Sequence, residues 1–417
     1  MRRFALIAVG LGLLLLPYPR LAAQFLPDTY QAVTNFLNPD PNTGLTTFRS
    51  LLIPMGGLQE GMGTAYTAVS KDSSYFEANP AASSTLDYTE LAVYHNNWIA
   101  DTKIEGAVYT IRTGGFGFGA GGKWLYLPFT AYDEFGDRQG SGYYSEAMAG
   151  FNVSYNFFPG YYFSGIAVGA TGKLAYRSVP AVASGATAGN SALGEMVDIG
   201  MLTRFDFGKF DHWRGKNFSI GLALKNLGPP VLGDPLPTTS SFGLAYAPLR
   251  PVTLSFDLSK PINLVDPALS EQFSVAGGFL VDVTSFFRMQ GGLLLKGGNP
   301  RLTIGSSVDF ELMRVAINYT LDLTTQFTPL NRISIQASFL LGDLGRGELA
   351  KKVDNLYLSG LEAYASGDVA KAEEFWKEAL ALDPTFDPAK ESLHAAQSAE
   401  QLKQTMDELG KLNPSGQ

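Results

Sequence analysis

The chain has no cysteine among its 417 residues, only three histidines, and 17% charged side chains. Each shortage excludes something. Without cysteine there is no disulfide, no thiol nucleophile and no lipid anchor on a cysteine. His95, His212 and His394 lie far apart in the chain, and nothing in their spacing marks a zinc site or a Ser-His-Asp arrangement. No P-loop and no basic cluster is present, so the reading is a non-enzyme with no cofactor, no metal and no nucleic-acid partner. Long apolar runs are missing too. The one such run, Phe4–Leu16, is thirteen residues long, short of the roughly 20 that a membrane helix needs. It follows Arg2 and Arg3 and precedes Pro17, Pro19 and Ala22-Ala23, the layout of a secretory signal peptide over 1–23.

What is present is glycine (46 residues), aromatic side chains (12%) and a repeating pattern. From Tyr88 to Gly342, runs of about ten residues alternate apolar with small polar, then break. Val315, Ile317, Tyr319, Leu321 and Leu323 share one face, and Arg314, Ala316, Asn318, Thr320 and Asp322 the other. Val252, Leu254, Phe256 and Leu258 repeat this, as do Phe218, Ile220, Leu222 and Leu224. The candidate strands are 88–96, 102–112, 115–127, 141–156, 161–177, 193–206, 217–227, 238–247, 250–259, 270–281, 284–296, 301–310, 313–323 and 331–342.

A soluble sandwich also alternates, with its apolar face inward. The connections separate the two. Breaks after even-numbered strands are mostly short, such as Thr113-Gly114 and Glu311-Leu312, with 208–216 as the exception. Breaks after odd-numbered strands are mostly longer, such as 128–140, 178–192 and 324–330. Short turns at one end and long loops at the other are the habit of outer-membrane barrels. The expected fold is therefore all-β: a transmembrane antiparallel barrel of about fourteen strands over 88–342, located in the outer membrane. A barrel of this size leaves a lumen, and the Pro-, Gly- and Asn-rich segment 24–87 is long enough to plug it.

Within that segment stand Gly61-Met62-Gly63-Thr64-Ala65-Tyr66-Thr67-Ala68, then Asp72, then Asn79-Pro80-Ala81. This run resembles the hatch of the FadL family of outer-membrane fatty-acid transporters. Within that superfamily the chain is most similar to the spirochaetal UPF0164 group, and more distantly to the PorV/PorQ group of secretion-associated barrels. The resemblance implies a fourteen-stranded barrel with an N-terminal hatch and diffusive uptake of long-chain fatty acids or similar hydrophobic molecules. Asn79-Pro80-Ala81 reads physically as a turn, with Asn79 shaping the hatch.

The third strand is glycine-rich, and glycine marks a bulge, a bend or a close approach. The FadL resemblance implies a kink that opens the wall toward lipid, here at Gly117, Gly119, Gly121 and Gly122. The other reading is lumen-facing glycine that makes room for the hatch. Alternation turns Lys225, Asp257, Arg288, Arg314 and Asp322 toward the lumen. A fatty acid needs an apolar groove and one or two cations, which Arg288 and Arg314 could supply unless they pair within the wet lumen.

After Gly342 the alternation stops. Residues 343–417 carry 14 acidic and 8 basic side chains. Gly360, Ala363-Tyr364, Gly367-Asp368, Ala372, Trp376, Ala379-Leu380, Leu382 and Asp383-Pro384 resemble one tetratricopeptide (TPR) repeat, with a third helix from Asp387-Pro388 whose face is Leu393, Ala396, Leu402, Met406 and Leu409. One repeat is too few to stand alone, so this segment is expected to dock on the barrel, a second copy or a periplasmic partner. With an even strand number it lies in the periplasm. Two functions follow: a channel whose partners are a hydrophobic ligand such as fatty acid and the surrounding lipid, or a PorV-like scaffold that binds secreted or periplasmic proteins.

Overall fold

A computed structural model describes residues 40–99, 101–179, 191–210, 215–298, 300–323 and 331–412. The expected leader over 1–23, the first part of the expected hatch and the break 324–330 lie outside these residues.

Fourteen antiparallel strands close into one barrel, each paired with its sequence neighbour and β1 with β14. They are β1 (Glu90–Asn97), β2 (Lys103–Thr113), β3 (Phe116–Tyr132), β4 (Arg138–Phe157), β5 (Ile166–Ser178), β6 (Ala192–Phe205), β7 (Phe218–Leu227), β8 (Thr238–Leu249), β9 (Val252–Ile262), β10 (Ser274–Asp282), β11 (Phe287–Leu295), β12 (Arg301–Phe310), β13 (Met313–Asp322) and β14 (Asn331–Leu340). Burial decides between barrel and sandwich. Leu254, Phe256, Leu258, Ile317, Tyr319, Ile333 and Ile335 are exposed, while Asn152, Thr171, Asp198, Asn318, Gln336 and Ser338 are buried. Apolar out and polar in is the surface a lipid-facing barrel presents, and the reverse of a sandwich core. No helix among the described residues is long and apolar enough to cross a membrane.

Call the rim that carries the start of β1 and the end of β14 the near rim, and the opposite one the far rim. Two expectations on the loops are corrected. The expected loop 128–140 is mostly strand: β3 and β4 pair out to Tyr132 and Arg138, so this hairpin stands above the far rim. Strand β5 begins at Ile166 rather than 161, because Tyr161 and Tyr162 turn away to meet the C-terminal helices.

Residues 40–87 thread the lumen from far rim to near rim. Asp40 accepts Gln272 N and Thr47 N donates to Pro235 O in the far loops. At the other end Arg112 donates to Leu86 O. Between them lie helices α1 (Gly57–Gly61) and α2 (Tyr75–Ala78) and two single 3-10 turns, Arg49–Leu52 and Pro80–Thr85. Met55, Leu58, Met62, Tyr66, Tyr75 and Phe76 of this hatch are at most 1% exposed. Each buried side chain of this size contributes about 1.5–3 kcal/mol, which holds the plug in place.

Gly342, Leu344 and Gly345 all have positive φ (95°, 57° and 77°) and turn the chain from β14 into the helices. These are α3 (Arg346–Ala365), α4 (Val369–Leu382) and α5 (Asp387–Leu412). In the α3–α4 hairpin a Cβ on Gly360 would meet Trp376 Nε1 at 2.3 Å, so glycine is what lets the indole seat between the helices. Trp376 Nε1 donates to Tyr357 O at 3.3 Å. The expected face of α5 holds only in part. Leu393 and Ala396 pack inward, but Leu402 and Met406 are 63% and 64% exposed, because α5 outruns the hairpin it leans on.

Candidate functional site

Three features carry the candidate site: the tie between hatch and wall, the glycine-rich strand, and a cavity above the hatch. Asn79 makes the tie. Its Nδ2 donates to Thr67 O at 2.9 Å within the hatch and to Met201 O at 3.0 Å on β6, and its Oδ1 accepts Ala81 N at 3.1 Å. Pro80 then opens the 3-10 turn, where its missing N–H is no loss. The wall makes room: a Cβ on Gly200 would lie 2.2 Å from Asn79 Oδ1. Asn79, Pro80 and Ala81 are all buried among hatch and wall and none lines the cavity.

The glycine-rich strand does not open the wall. β2–β3 pairing runs unbroken from Arg112↔Gly117 to Ala107↔Gly122, and β3–β4 pairing from Gly117↔Ser154 to Gly122↔Ala149. Steric room explains the glycines. A Cβ on Gly117 would sit 2.2 Å from Ser83 C, and one on Gly119 would sit 2.1 Å from Tyr75 Oη, both in the hatch. A Cβ on Gly121 would reach Ala107 O at 2.7 Å and one on Gly122 Met148 O at 2.4 Å, so the neighbouring strands close up here rather than part.

Between hatch and far rim lies a cavity of about 360 Å³, within the range of small-molecule sites. Its apolar side is Leu51, Leu52, Ile53 and Pro54 of the hatch, with Met148 and Leu294 of the wall. Its polar side includes Lys123 on β3, Lys173 on β5 and Lys225 on β7. Lys123 Nζ lies 2.5 Å from Glu77 Oε1 and 2.8 Å from Ile53 O. Lys173 pairs with Asp198. Asp257 is spent on the hatch, accepting Tyr66 N at 3.0 Å and Thr67 N at 2.9 Å. At the far rim Glu271 joins the hatch to the wall, 3.0 Å from Arg49 and 3.1 Å from Lys296. Burial pushes the Glu271 carboxyl up, but the two cations outweigh it and hold it below its ordinary range.

Of the five lumenal charges read from alternation, Lys225 reaches this cavity and Asp257 borders it. Asp322 faces inward beside Arg301. Arg288 and Arg314 lie elsewhere. They line a smaller pocket of about 110 Å³ at the near rim with Lys71, Glu90 and Asp282. Both are paired: Arg288 Nε lies 2.6 Å from Asp282, and Arg314 grips Asp309 through two nitrogens. Lys123, Lys173 and Glu77 were not singled out from the sequence. The signal for the lysines was there, since Lys123 shares the face of Gly117, Gly119 and Gly121, and Lys173 that of Ala167, Gly169 and Thr171.

A closed fourteen-strand barrel, apolar outside, polar inside and plugged by its own N-terminal segment, defines the class: an outer-membrane-type β-barrel with a hatch. The family is narrower. The chain belongs to UPF0164, described as an uncharacterised protein family, whose pattern matches residues 39–344. One UPF0164 protein of Treponema pallidum (strain Nichols) is 27% identical over 384 residues, covering 89% of this chain and 87% of the relative. Another from the same strain is 25% identical over 392 residues, covering 86% and 77%. Among solved structures, the toluene transporter TodX of P. putida superposes with a TM-score of 0.47 at 12% identity, covering 69% of this chain and 98% of that one. A FadL homologue of Pseudomonas aeruginosa gives 0.41 at 10% identity, covering 68% and 97%.

Proposed function

We propose that this chain is an outer-membrane channel for the diffusive uptake of small hydrophobic molecules, long-chain fatty acids among them, with α3–α5 in the periplasm. The observation that carries the reading is the cavity above the hatch, where Leu51, Leu52, Ile53 and Pro54 offer an apolar floor inside an otherwise polar lumen. A water-filled porin has no use for such a floor, and a plug would obstruct its traffic. The hatch is held by hydrogen bonds at both ends and by ion pairs at Arg49 and Glu77, so passage requires part of it to shift. Organic extraction of protein purified in lipid nanodiscs, followed by mass spectrometry, tests the reading. It expects co-purified apolar or amphipathic molecules at near-stoichiometric amounts. Extracts matching empty nanodiscs would count against it.

A second reading has its own support. The helices rest on the near rim: Tyr161 stacks edge-on to Phe386, Tyr162 Oη lies 3.0 Å from Glu391, and Arg346 donates to Arg112 O and Asp87 O at 2.7 Å. Leu358, Leu361 and Tyr364 of α3 remain exposed there. That face suits a scaffold that recruits a periplasmic protein.

A further inference from the structure

The hatch leaves the lumen at the near rim on two consecutive backbone carbonyls, and an arginine holds each. Arg112, near the end of β2, donates from Nη1 to Leu86 O at 3.3 Å. Arg346, the first residue of α3, donates from Nη2 to Asp87 O and from Nη1 to Arg112 O, both at 2.7 Å. One guanidinium of the C-terminal helices thus joins the end of the hatch to the strand that carries its other clamp. Its planar fork suits it to hold two acceptors in a fixed geometry. Leu86 and Asp87 also line the near-rim pocket with Lys71, Glu90 and Leu340, so this contact lies where a passage beside the hatch would open.

The turn after β14 is shaped to aim Arg346. Leu341 N donates to Thr89 O and Thr89 N to Gly342 O, both at 2.8 Å, which ties the end of β14 to the chain just past the hatch. Leu344 then takes φ 57°, a left-handed conformation uncommon for a side chain of its size. Asp343 fixes the bend: its carboxylate accepts Gly345 N at 3.0 Å and Gly347 N at 2.7 Å. A plain flexible spacer needs neither feature. The helices have a core of their own around Val353, Ala372, Trp376, Ala379 and Phe386. Besides Arg346, they meet the rim at the β4–β5 turn, where Tyr161 packs on that core 5.2 Å from the Phe386 ring and Tyr162 Oη lies 3.0 Å from Glu391.

We propose that α3–α5 are a releasable clasp on the near end of the hatch. Seated on the β4–β5 turn, they pin that end through Arg346. Displaced as one body, they withdraw the pin and free the 3-10 turn Pro80–Thr85 that leads to it. Elsewhere the barrel's own loops and strands hold the hatch, as at Gln272, Met201 and Asp257. At Asp87 it is held from outside the barrel, which is what lets the helices govern it. The consequence for passage rests on the channel reading; the clasp itself does not.

Hydrogen–deuterium exchange of the full chain in lipid nanodiscs, read by mass spectrometry, tests the clasp. Arg346→Ala should raise exchange over 80–90 by roughly tenfold, as expected for the loss of charge-assisted hydrogen bonds, and leave 47–52 at the far end unchanged. Tyr161→Ala, made away from Arg346, should also raise exchange over 80–90. The chain has no cysteine, so Tyr162→Cys and Glu391→Cys added to Tyr161→Ala can be bridged by a short bismaleimide that holds the helices on the rim. Bridging should bring exchange back to the wild-type rate. Unchanged exchange over 80–90 in Arg346→Ala, an equal rise at both ends of the hatch, no response to Tyr161→Ala, or a rise that bridging does not reverse overturns the clasp. Uptake of a labelled long-chain fatty acid by cells carrying Arg346→Ala separates the clasp from the channel reading. Faster exchange with uptake above wild type supports both, and faster exchange with uptake at the empty-vector level supports the clasp and counts against the channel.

Discussion

Asn79 shows how much one side chain holds. Its side-chain amide donates two hydrogen bonds and accepts one, and one of those it donates reaches across from hatch to barrel wall. Asn79→Ala leaves the Thr67 and Met201 carbonyls and the Ala81 amide without this partner. The expected cost is about 2–4 kcal/mol, seen as a lowered unfolding midpoint in detergent and earlier proteolysis within 40–87. An unchanged midpoint and cleavage pattern would show that the tie is dispensable. The motif was legible in the sequence as a turn. Its reason was not, because the receiving group is a backbone carbonyl 122 positions away, which leaves no mark on residue type. The same limit applies to Arg288 and Arg314. Alternation says which face a side chain occupies but not its height along the lumen. Both sit at strand starts and pair across the near rim, while Lys225, near the end of β7, reaches the cavity.

At the scale of elements, one carboxylate of the far loops ties the hatch through ion pairs. Glu271, in the loop between β9 and β10, holds Arg49 of the hatch and Lys296 of the wall. Its folded pKa is depressed, so its contribution is present above the ordinary carboxylate range and is lost as pH falls through the folded value. Glu271→Gln should destabilise the neutral-pH protein by about 2 kcal/mol. The gap between wild type and variant should then close on acidification below about pH 4.5. A gap that is independent of pH would show that the ion pairs do not act as a latch. The strands themselves were readable because lipid outside and polar lumen inside force a strict period of two. The β3–β4 hairpin was misjudged at its tip, where the wall rises above the rim and the alternation that marks a two-sided wall weakens. A bulge on β7, where Val197 pairs with Leu227 after Ile199 pairs with Leu224, was hidden for a related reason: one extra residue breaks the register without changing composition.

At the scale of the whole molecule, the chain is a barrel that carries its own plug and its own docked helices. The plug leaves a cavity on one side, and the helices stand at the other rim beside the turns and the end of β14. A channel reading links these parts in one direction of travel, from cavity past hatch to near rim. The most direct measurement is uptake of labelled long-chain fatty acid by cells that lack their own outer-membrane carrier, with and without this chain. The account predicts uptake well above the empty-vector level, saturable and independent of added energy source at the outer membrane. Folded protein in the outer membrane with uptake at the empty-vector level would contradict it.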